Sequence, residues 1–365
     1  MADDIWTVKR ILAWIEDYLA QHGDDKPLAA AQWLVSDAIG VSRMQLYLDP
    51  ERPLTSEERA VLRDYTKRRA TGEPLQYITG TTDFRYITLK VRKGVLIPRP
   101  ETEVLVSEAL ALLPVAQKRR ALEDDEIAEL LQKDAESADG ETTGTVAADG
   151  AGRIAAADDG AQAAGGSAAG DAQAAGIPAD GVAAPAEVAS SPAKLLVADI
   201  GTGTGCIACS LAKEHPRVHV VATDVSSEAA QLARENVAFL GLEDRVRIVE
   251  CDLGEGIEPS LMGAFDLVVS NPPYVPTSVL AAIPREVADF EPMLALDGGE
   301  DGLDVFRRLL DWARLALKPG GALVVELHET CLEDAAAEAE YAGFADARIV
   351  KDLAGRPRVI TAVKR

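Results

Sequence analysis

Leu195-Leu196-Val197-Ala198-Asp199-Ile200 runs without a break into Gly201-Thr202-Gly203-Thr204-Gly205, and an apolar helical stretch begins near Cys206. An apolar run of this length, bounded by glycines, reads as a buried strand. The glycines let the backbone turn sharply and let a ligand approach the main chain. The helix that follows offers unpaired N–H groups to an anionic ligand group, such as a carboxylate. A glycine pattern by itself is weak; the position between strand and helix gives it meaning. A chain that contains this unit is constrained to an α/β fold with a ligand at the strand's carboxyl end.

The following residues extend the pattern. A second strand, Val218–Thr223, ends in Asp224, 19 residues after Gly205. A carboxylate at that distance suits ribose hydroxyls. A third strand, Val246–Val249, leads to Cys251-Asp252-Leu253, where Asp252 and Leu253 offer a polar and an apolar contact for an adenine ring. A fourth, Phe265–Ser270, stops at Asn271-Pro272-Pro273-Tyr274. Proline lacks the N–H of a strand ladder and pushes the preceding residue toward an extended conformation. The stiff loop presents groups suited to a planar NH₂. The Asn271 side-chain oxygen and the Pro272 carbonyl can each accept one N–H, and Tyr274 offers a flat face for stacking. Two acceptors placed where positive charge develops at nitrogen stabilise that transition state. The plainer alternative is an ordinary proline-rich turn. The spacing G-x-G-x-G differs from the dinucleotide pattern G-x-G-x-x-G. With an amine clamp after the fourth strand, it favours S-adenosylmethionine over a nicotinamide cofactor.

The chain of 365 residues is long enough for two domains, and its net charge of −23 argues against gripping nucleic acid mainly through phosphates. Its four cysteines suggest no disulfide framework and point to a reducing cytosol. Cys206 and Cys209 read as packed thiols one helical turn apart, and the four histidines show no metal-ligand spacing, so no metal site is expected. The N-terminal residues lack signal-peptide character, and no apolar run approaches the about 20 residues that span a bilayer. A cytoplasmic protein is expected.

Residues 1–80 read as a helical bundle. Ile5, Val8, Ile11, Leu12, Ile15 and Leu19 form an apolar stripe, and Ser42 with Gln45 and Thr55 with Glu58 are candidate capping boxes. Trp6, Trp14 and Trp33 read as packing residues. Residues 81–98 read as a hairpin linker: Phe84–Val91 as a strand, a turn at Lys93-Gly94, then Val95-Leu96-Ile97. Arg99, held between Pro98 and Pro100, suits a carboxylate in a cleft, and Pro100, Glu101 and Glu103 open a helix over Val104–Leu113. Residues 116–192 are dominated by Ala, Gly and Asp, carry 15 acidic and 5 basic residues for a charge of −10, and contain no aromatic. They read as a disordered acidic insertion with a transient helix over Ala121–Ala135. The rest of the chain keeps −13 of the −23. Further on, a helix over Val305–Leu317 is stopped by Pro319-Gly320-Gly321. A fifth strand over Ala322–Leu327 follows, and Ile349-Val350 and Val359–Val363 read as antiparallel edge strands.

Taken in order, Glu73-Pro74-Leu75-Gln76-Tyr77-Ile78-Thr79-Gly80, Leu96-Ile97-Pro98-Arg99-Pro100-Glu101-Thr102-Glu103, the Asp199–Gly205 loop, Asn271-Pro272-Pro273-Tyr274 and Phe290-Glu291-Pro292 make the chain resemble the release factor glutamine methyltransferases, the PrmC/HemK family. The likeness spans about residues 1–115 and 193–365. It implies a Rossmann-like S-adenosylmethionine-dependent methyltransferase domain with a seven-stranded sheet, formed by 99–115 and 193–365. That domain is preceded by an N-terminal helical substrate-recognition domain at 1–80 and a β-hairpin linker at 81–98. It implies methyl transfer to the side-chain amide nitrogen of the glutamine in the Gly-Gly-Gln loop of class I peptide chain release factors. By that likeness Gly201, Gly203, Gly205, Asp224, Leu253 and Asn271 are expected at the cofactor, and Thr202, Thr204 and Asp252 are expected there beside them. Asn271, Pro272, Pro273 and Tyr274 are expected at the glutamine, with Arg99 and Glu101 in a substrate-side signature. A monomer without membrane or direct nucleic-acid contacts is expected. The long insertion departs from the family, as does Glu326-Leu327-His328-Glu329, where a glycine usually follows the acid. A nucleic-acid amino-methyltransferase and a non-catalytic cofactor-binding module remain the alternatives.

Overall fold

The computed structural model describes residues 5–114 and 193–365. The insertion expected at 116–192, with its transient helix, lies outside the described residues.

The chain opens with five helices: α1 (Val8–Gln21), α2 (Pro27–Ile39), α3 (Arg43–Leu48), α4 (Ser56–Ala70) and α5 (Leu75–Thr79). Thr7 caps α1 through its side chain, and both expected capping boxes are formed, Ser42–Gln45 on α3 and Thr55–Glu58 on α4. Val8, Ile11, Ile15 and Leu19 turn one face of α1 onto Ala31, Leu34 and Val35 of α2, with Leu46, Leu62 and Ile78 closing the core. Ile5 does not join the stripe: it precedes the cap, where helical spacing no longer applies, and is 65% exposed. The tryptophans are only partly packed. Trp14 is 44% exposed and stacks on Tyr18 at 5.2 Å, while Trp6 meets it edge-on at 6.3 Å.

A hairpin follows, β1 (Thr81–Phe84) and β2 (Ile87–Lys90). Its turn is at Arg85-Tyr86, not at the expected Lys93-Gly94, and Val95–Ile97 is not a strand. Arg85 adopts a left-handed φ of 52°, unusual for a non-glycine residue. Glu214 holds its guanidinium at 2.6 and 2.7 Å, and the Glu103 carbonyl and Ser107 hydroxyl accept from it as well. Contacts from distant elements therefore set this turn.

After α6 (Thr102–Leu112) come β3 (Leu195–Ile200), α7 (Cys206–Glu214), β4 (Val218–Asp224), α8 (Ser227–Phe239), β5 (Val246–Glu250) and β6 (Phe265–Ser270). The chain then runs through α9 (Asp304–Ala316), β7 (Leu317–Glu326), α10 (Leu332–Tyr341), β8 (Phe344–Lys351) and β9 (Pro357–Lys364). The seven strands form one sheet in the order β5-β4-β3-β6-β7-β9-β8. The first five in that order are parallel; β9 and β8 are joined antiparallel. Successive strand residues face opposite sides. Val197, Val220, Leu267 and Val324 pack with α6 and α7, and Ala198, Val268, Leu323 and Val325 pack with α9 and α10.

Two sequence expectations need correction here. Pro319-Gly320-Gly321 lies inside β7 rather than before it, because Leu317 already pairs with Phe265 and the register then slips to Leu267–Ala322. Of the two strands expected at an edge, β8 alone lies there; β9 is inserted between β7 and β8, and its Val359–Thr361 are buried accordingly. Strand β3 has β4 on one side and β6 on the other, so the chain reverses its direction of strand addition beside β3. Ligands of open α/β sheets collect at such a point, outside the carboxyl ends of the strands.

Candidate active site

A cavity of about 210 Å³ opens at that point. It is lined by Gly201 and Gly203 after β3, Asp224 at the end of β4, Asp252 and Leu253 after β5, and Asn271, Pro272 and Pro273 after β6. Sequence reasoning placed these together because each lies at the end of a strand of one parallel sheet or just beyond it. Val95, Leu96 and Pro292, from segments the sequence reading quoted without placing them at the cofactor, line it too, as does Arg308, which carried no sequence signal.

The glycine loop is built from beneath. Asp199 is fully buried, and its Oδ2 accepts from the Thr202 hydroxyl at 2.6 Å and from the Ala208 N–H at 3.2 Å. Burial pushes the Asp199 carboxyl up to about 7. Gly201 and Gly203 take φ values of 72° and 58°, which only glycine adopts freely, and the space where their Cβ atoms would stand is open. Thr202 and Thr204, expected at the cofactor, are 3% and 2% exposed and do not line the cavity. Gly205 is likewise off the cavity; it caps α7, and a Cβ there would touch Ala233 of α8 at 3.4 Å. The loop alternates glycines that line the cavity with threonines that are buried. Cys206 and Cys209 are buried in α7 with their thiols pushed up by burial, the packed state expected of them.

Asp224 accepts the Gly203 N–H on Oδ2 at 2.8 Å and the Ser226 N–H on Oδ1 at 2.9 Å. Each carboxylate oxygen keeps a further acceptor site for a hydroxyl. Leu253 has a φ of 44° and Asp252 is 2.6 Å from Arg308, so both are fixed at the cavity wall. Backbone left open at two glycines, a carboxylate at the end of β4 and an apolar wall at Leu253 fit an adenosyl group with its ribose and amino-acid tail.

The Asn271 loop is clamped on both sides. Ser270 donates to the Ile200 carbonyl at 2.6 Å, tying β6 to β3. Past Tyr274, the Val275 N–H donates to the Leu296 carbonyl and the Gly298 N–H to the Val275 carbonyl. A Cβ on Gly298 would lie 2.7 Å from the Tyr274 Cα, so the loop needs a glycine there. Asn271 donates from Nδ2 to the Thr102 hydroxyl at 3.1 Å, which leaves Oδ1 as the acceptor. Tyr274, expected to offer a stacking face, does not line the cavity. Its hydroxyl donates to Oε1 of buried Glu326 at 3.2 Å, and burial raises its pKa far above the phenol range. Thr102 and Glu326 thus hold the Asn271 loop from outside the cavity lining. Sequence reading gave neither a role, because their partners are more than a hundred residues and about fifty residues away respectively.

Arg99 is not an open cation. One of its terminal nitrogens lies 2.7 Å from both oxygens of Glu291, whose side chain is 1% exposed. The carboxylate it was expected to find is therefore supplied by the chain itself. Phe290 packs on the cluster of Tyr77, Val91 and Ile97, so the three segments Glu73–Gly80, Leu96–Glu103 and Phe290–Pro292 meet in one place. Glu101 faces Arg356 at 3.6 Å, outside the cavity lining.

A parallel sheet switching beside β3, a glycine loop, an acid at the end of β4 and an amide-bearing proline loop after β6 define an S-adenosylmethionine-dependent methyltransferase. Two family models match the chain, the PrmC N-terminal domain over residues 10–80 and the methyltransferase small domain over 186–286. The chain is 34% identical to the release factor glutamine methyltransferase of Geobacter sulfurreducens, over 98% of this chain and 96% of that one. It is 31% identical to that of Rhodopirellula baltica over 99% and 98%, and 33% identical to that of Caulobacter vibrioides over 98% and 97%. The chain belongs to the release factor glutamine methyltransferase family.

Proposed function

We propose that this protein methylates the side-chain amide nitrogen of the glutamine in the Gly-Gly-Gln loop of class I peptide chain release factors, and so modulates translation termination. The observation that carries the reading is Asn271, whose Nδ2 is engaged by Thr102 so that Oδ1 is the acceptor on the loop that closes the cavity. Gly201, Gly203, Asp224, Asp252 and Leu253 would hold S-adenosylmethionine. When bound, that group supplies an electrophilic methyl.

The protein's own residues orient the nucleophile. An amide nitrogen is a poor nucleophile because its lone pair is delocalised. Asn271 Oδ1 and the Pro272 carbonyl accept its two N–H groups, hold the nitrogen in one orientation and stabilise the positive charge that develops on it. No strong base is needed before attack, and the proton leaves to water afterwards. Most of the acceleration is positioning and electrostatic stabilisation. Pro273 stiffens the loop, and Tyr274 anchors it to Glu326. Arg99 supports the substrate side indirectly, through Glu291.

Residues 1–80 are assigned to substrate recognition, 81–98 to the linker, 99–115 with 193–365 to catalysis, and 116–192 to no catalytic role. The protein acts as a monomer in the cytoplasm, without nucleic acid as substrate. No helix among the described residues is long and apolar enough to cross a membrane, and the cysteines are free.

The test is methylation with labelled S-adenosylmethionine of a release factor and of its Gln→Ala loop variant, read by mass spectrometry of the loop peptide. One methyl on the glutamine, absent from the variant, is the expected result. Transfer to bare RNA or DNA instead would overturn the proposal. Asn271→Ala should lower turnover by about a hundredfold or more, with a smaller loss of cofactor affinity in calorimetry.

A further inference from the structure

Glu326 ends β7 beneath the Asn271 loop and is 1% exposed. Its Oε1 accepts from the Tyr274 hydroxyl at 3.2 Å, and its Oε2 is buried without a hydrogen-bond partner among the described residues. The Thr102 hydroxyl lies beside the same carboxylate and favours its charged form. Thr102 is itself 2% exposed and accepts from Asn271 Nδ2 at 3.1 Å. A threonine hydroxyl has one proton to give. If that proton goes to an ionised carboxylate, which can only accept, the threonine oxygen can meet Asn271 only as an acceptor. The amide must then turn Nδ2 toward Thr102 and leave Oδ1 for the ligand.

We propose that Glu326 is a positioning residue for methyl transfer, acting through Thr102 to lock the Asn271 amide with its oxygen toward the substrate. The inference rests on the amide-methylating function above. It assigns no contact with substrate to Glu326.

The charge state of Glu326 then matters. Tyr274 from the β6 loop, Arg358 from β9, Glu101 ahead of α6 and Cys206 at the start of α7 face it, and His328 follows it by two residues. Desolvation dominates and pushes the carboxyl up to about 7, against the opposing effects of Thr102, Tyr274 and Arg358. Once protonated, the carboxyl can donate to Thr102. The threonine proton is then free to turn to Asn271 Oδ1, and the amide loses its fixed orientation. Activity is therefore present above the folded pKa and lost as pH falls through it.

The experiment is a pH profile of kcat for release factor methylation in the wild type, Glu326→Gln, Thr102→Val and Thr102→Ser, with cofactor affinity measured alongside. The wild type should show an acidic limb near the about 7 of the carboxyl. Glu326→Gln should lower kcat on the order of tenfold to a hundredfold and remove the limb, with cofactor affinity unchanged. Thr102→Val should lose as much, the double variant no more than either, and Thr102→Ser should behave as wild type. If Glu326→Gln does not fold, the two threonine variants decide. Wild-type kcat in Thr102→Val, or an acidic limb retained in Glu326→Gln, overturns the proposal. A wild-type protein that fails to methylate the release factor would sink the function but not the relay. The relay is then judged by the Asn271 side-chain NH₂ resonances, which should titrate in the wild type and stay fixed in Glu326→Gln. Resonances that do not move with pH, or move equally in both, overturn it.

Discussion

Asp199 shows how a single buried charge can shape both a loop and a stability curve. Its carboxyl rises from 3.8 to about 7 because burial disfavours the ion. Between those values the folded protein holds a proton that the unfolded chain has released. Stability therefore falls as pH rises through this window, the reverse of a salt-bridged acid. Asp199→Asn removes the linkage. Its unfolding free energy relative to wild type should climb by a few kcal/mol from about pH 4 to about pH 7. Urea titrations at the two ends of that range check it, and a constant difference would show that Asp199 stays ionised. Asp224, Leu253 and Asn271 were legible in the sequence because strand ends are legible, and each lies at one or within three residues of it. Thr202, Thr204 and Tyr274 do not line the cavity, because a side chain's direction within a loop depends on its partners, near and far along the chain. For Thr202 and Tyr274 those are Asp199 and Glu326.

At the scale of elements, the sheet was legible wherever an apolar run ended at a turn signal. It was misread wherever tertiary contacts outweighed local chemistry. Lys93-Gly94 has turn chemistry and Gly94 does adopt a positive φ of 96°. Even so, the hairpin closes at Arg85-Tyr86, because Glu214 of α7 holds Arg85 there. The Arg99–Glu291 pair acts in the same manner, binding the segment before α6 to the segment before α9 across nearly two hundred residues. Glu291 is raised by burial and held down by Arg99, so its charge depends on that partner. Arg99→Gln leaves the buried carboxylate alone and should cost about 3–5 kcal/mol. Adding Glu291→Gln should recover part of that loss in a double-mutant cycle followed by urea unfolding. Strict additivity would mean that the pair is not coupled in solution.

Across the whole molecule, composition marked residues 116–192 as foreign to the fold, but it could not show where their flanking ends lie. The Pro114 carbonyl accepts from His215 Nε2 at 2.9 Å, and the Ala193 carbonyl accepts from Arg217 Nε at 2.9 Å. Both ends therefore arrive at the turn between α7 and β4, on the amino edge of the sheet, while the cavity opens on the carboxyl edge. Replacing residues 117–191 with a short Gly-Ser linker should keep methylation intact. It should also raise stability by about 2 kcal/mol, since loop-closure entropy grows only with the logarithm of length. Turnover of the shortened protein and its urea midpoint test both halves, and lost turnover would give the segment a role in catalysis. The paired anchors at His215 and Arg217 have a practical reading as well. They mark a place at which foreign sequence, whether a fluorescent reporter or an affinity handle, should be tolerated mid-chain, at the edge of the sheet opposite the cavity.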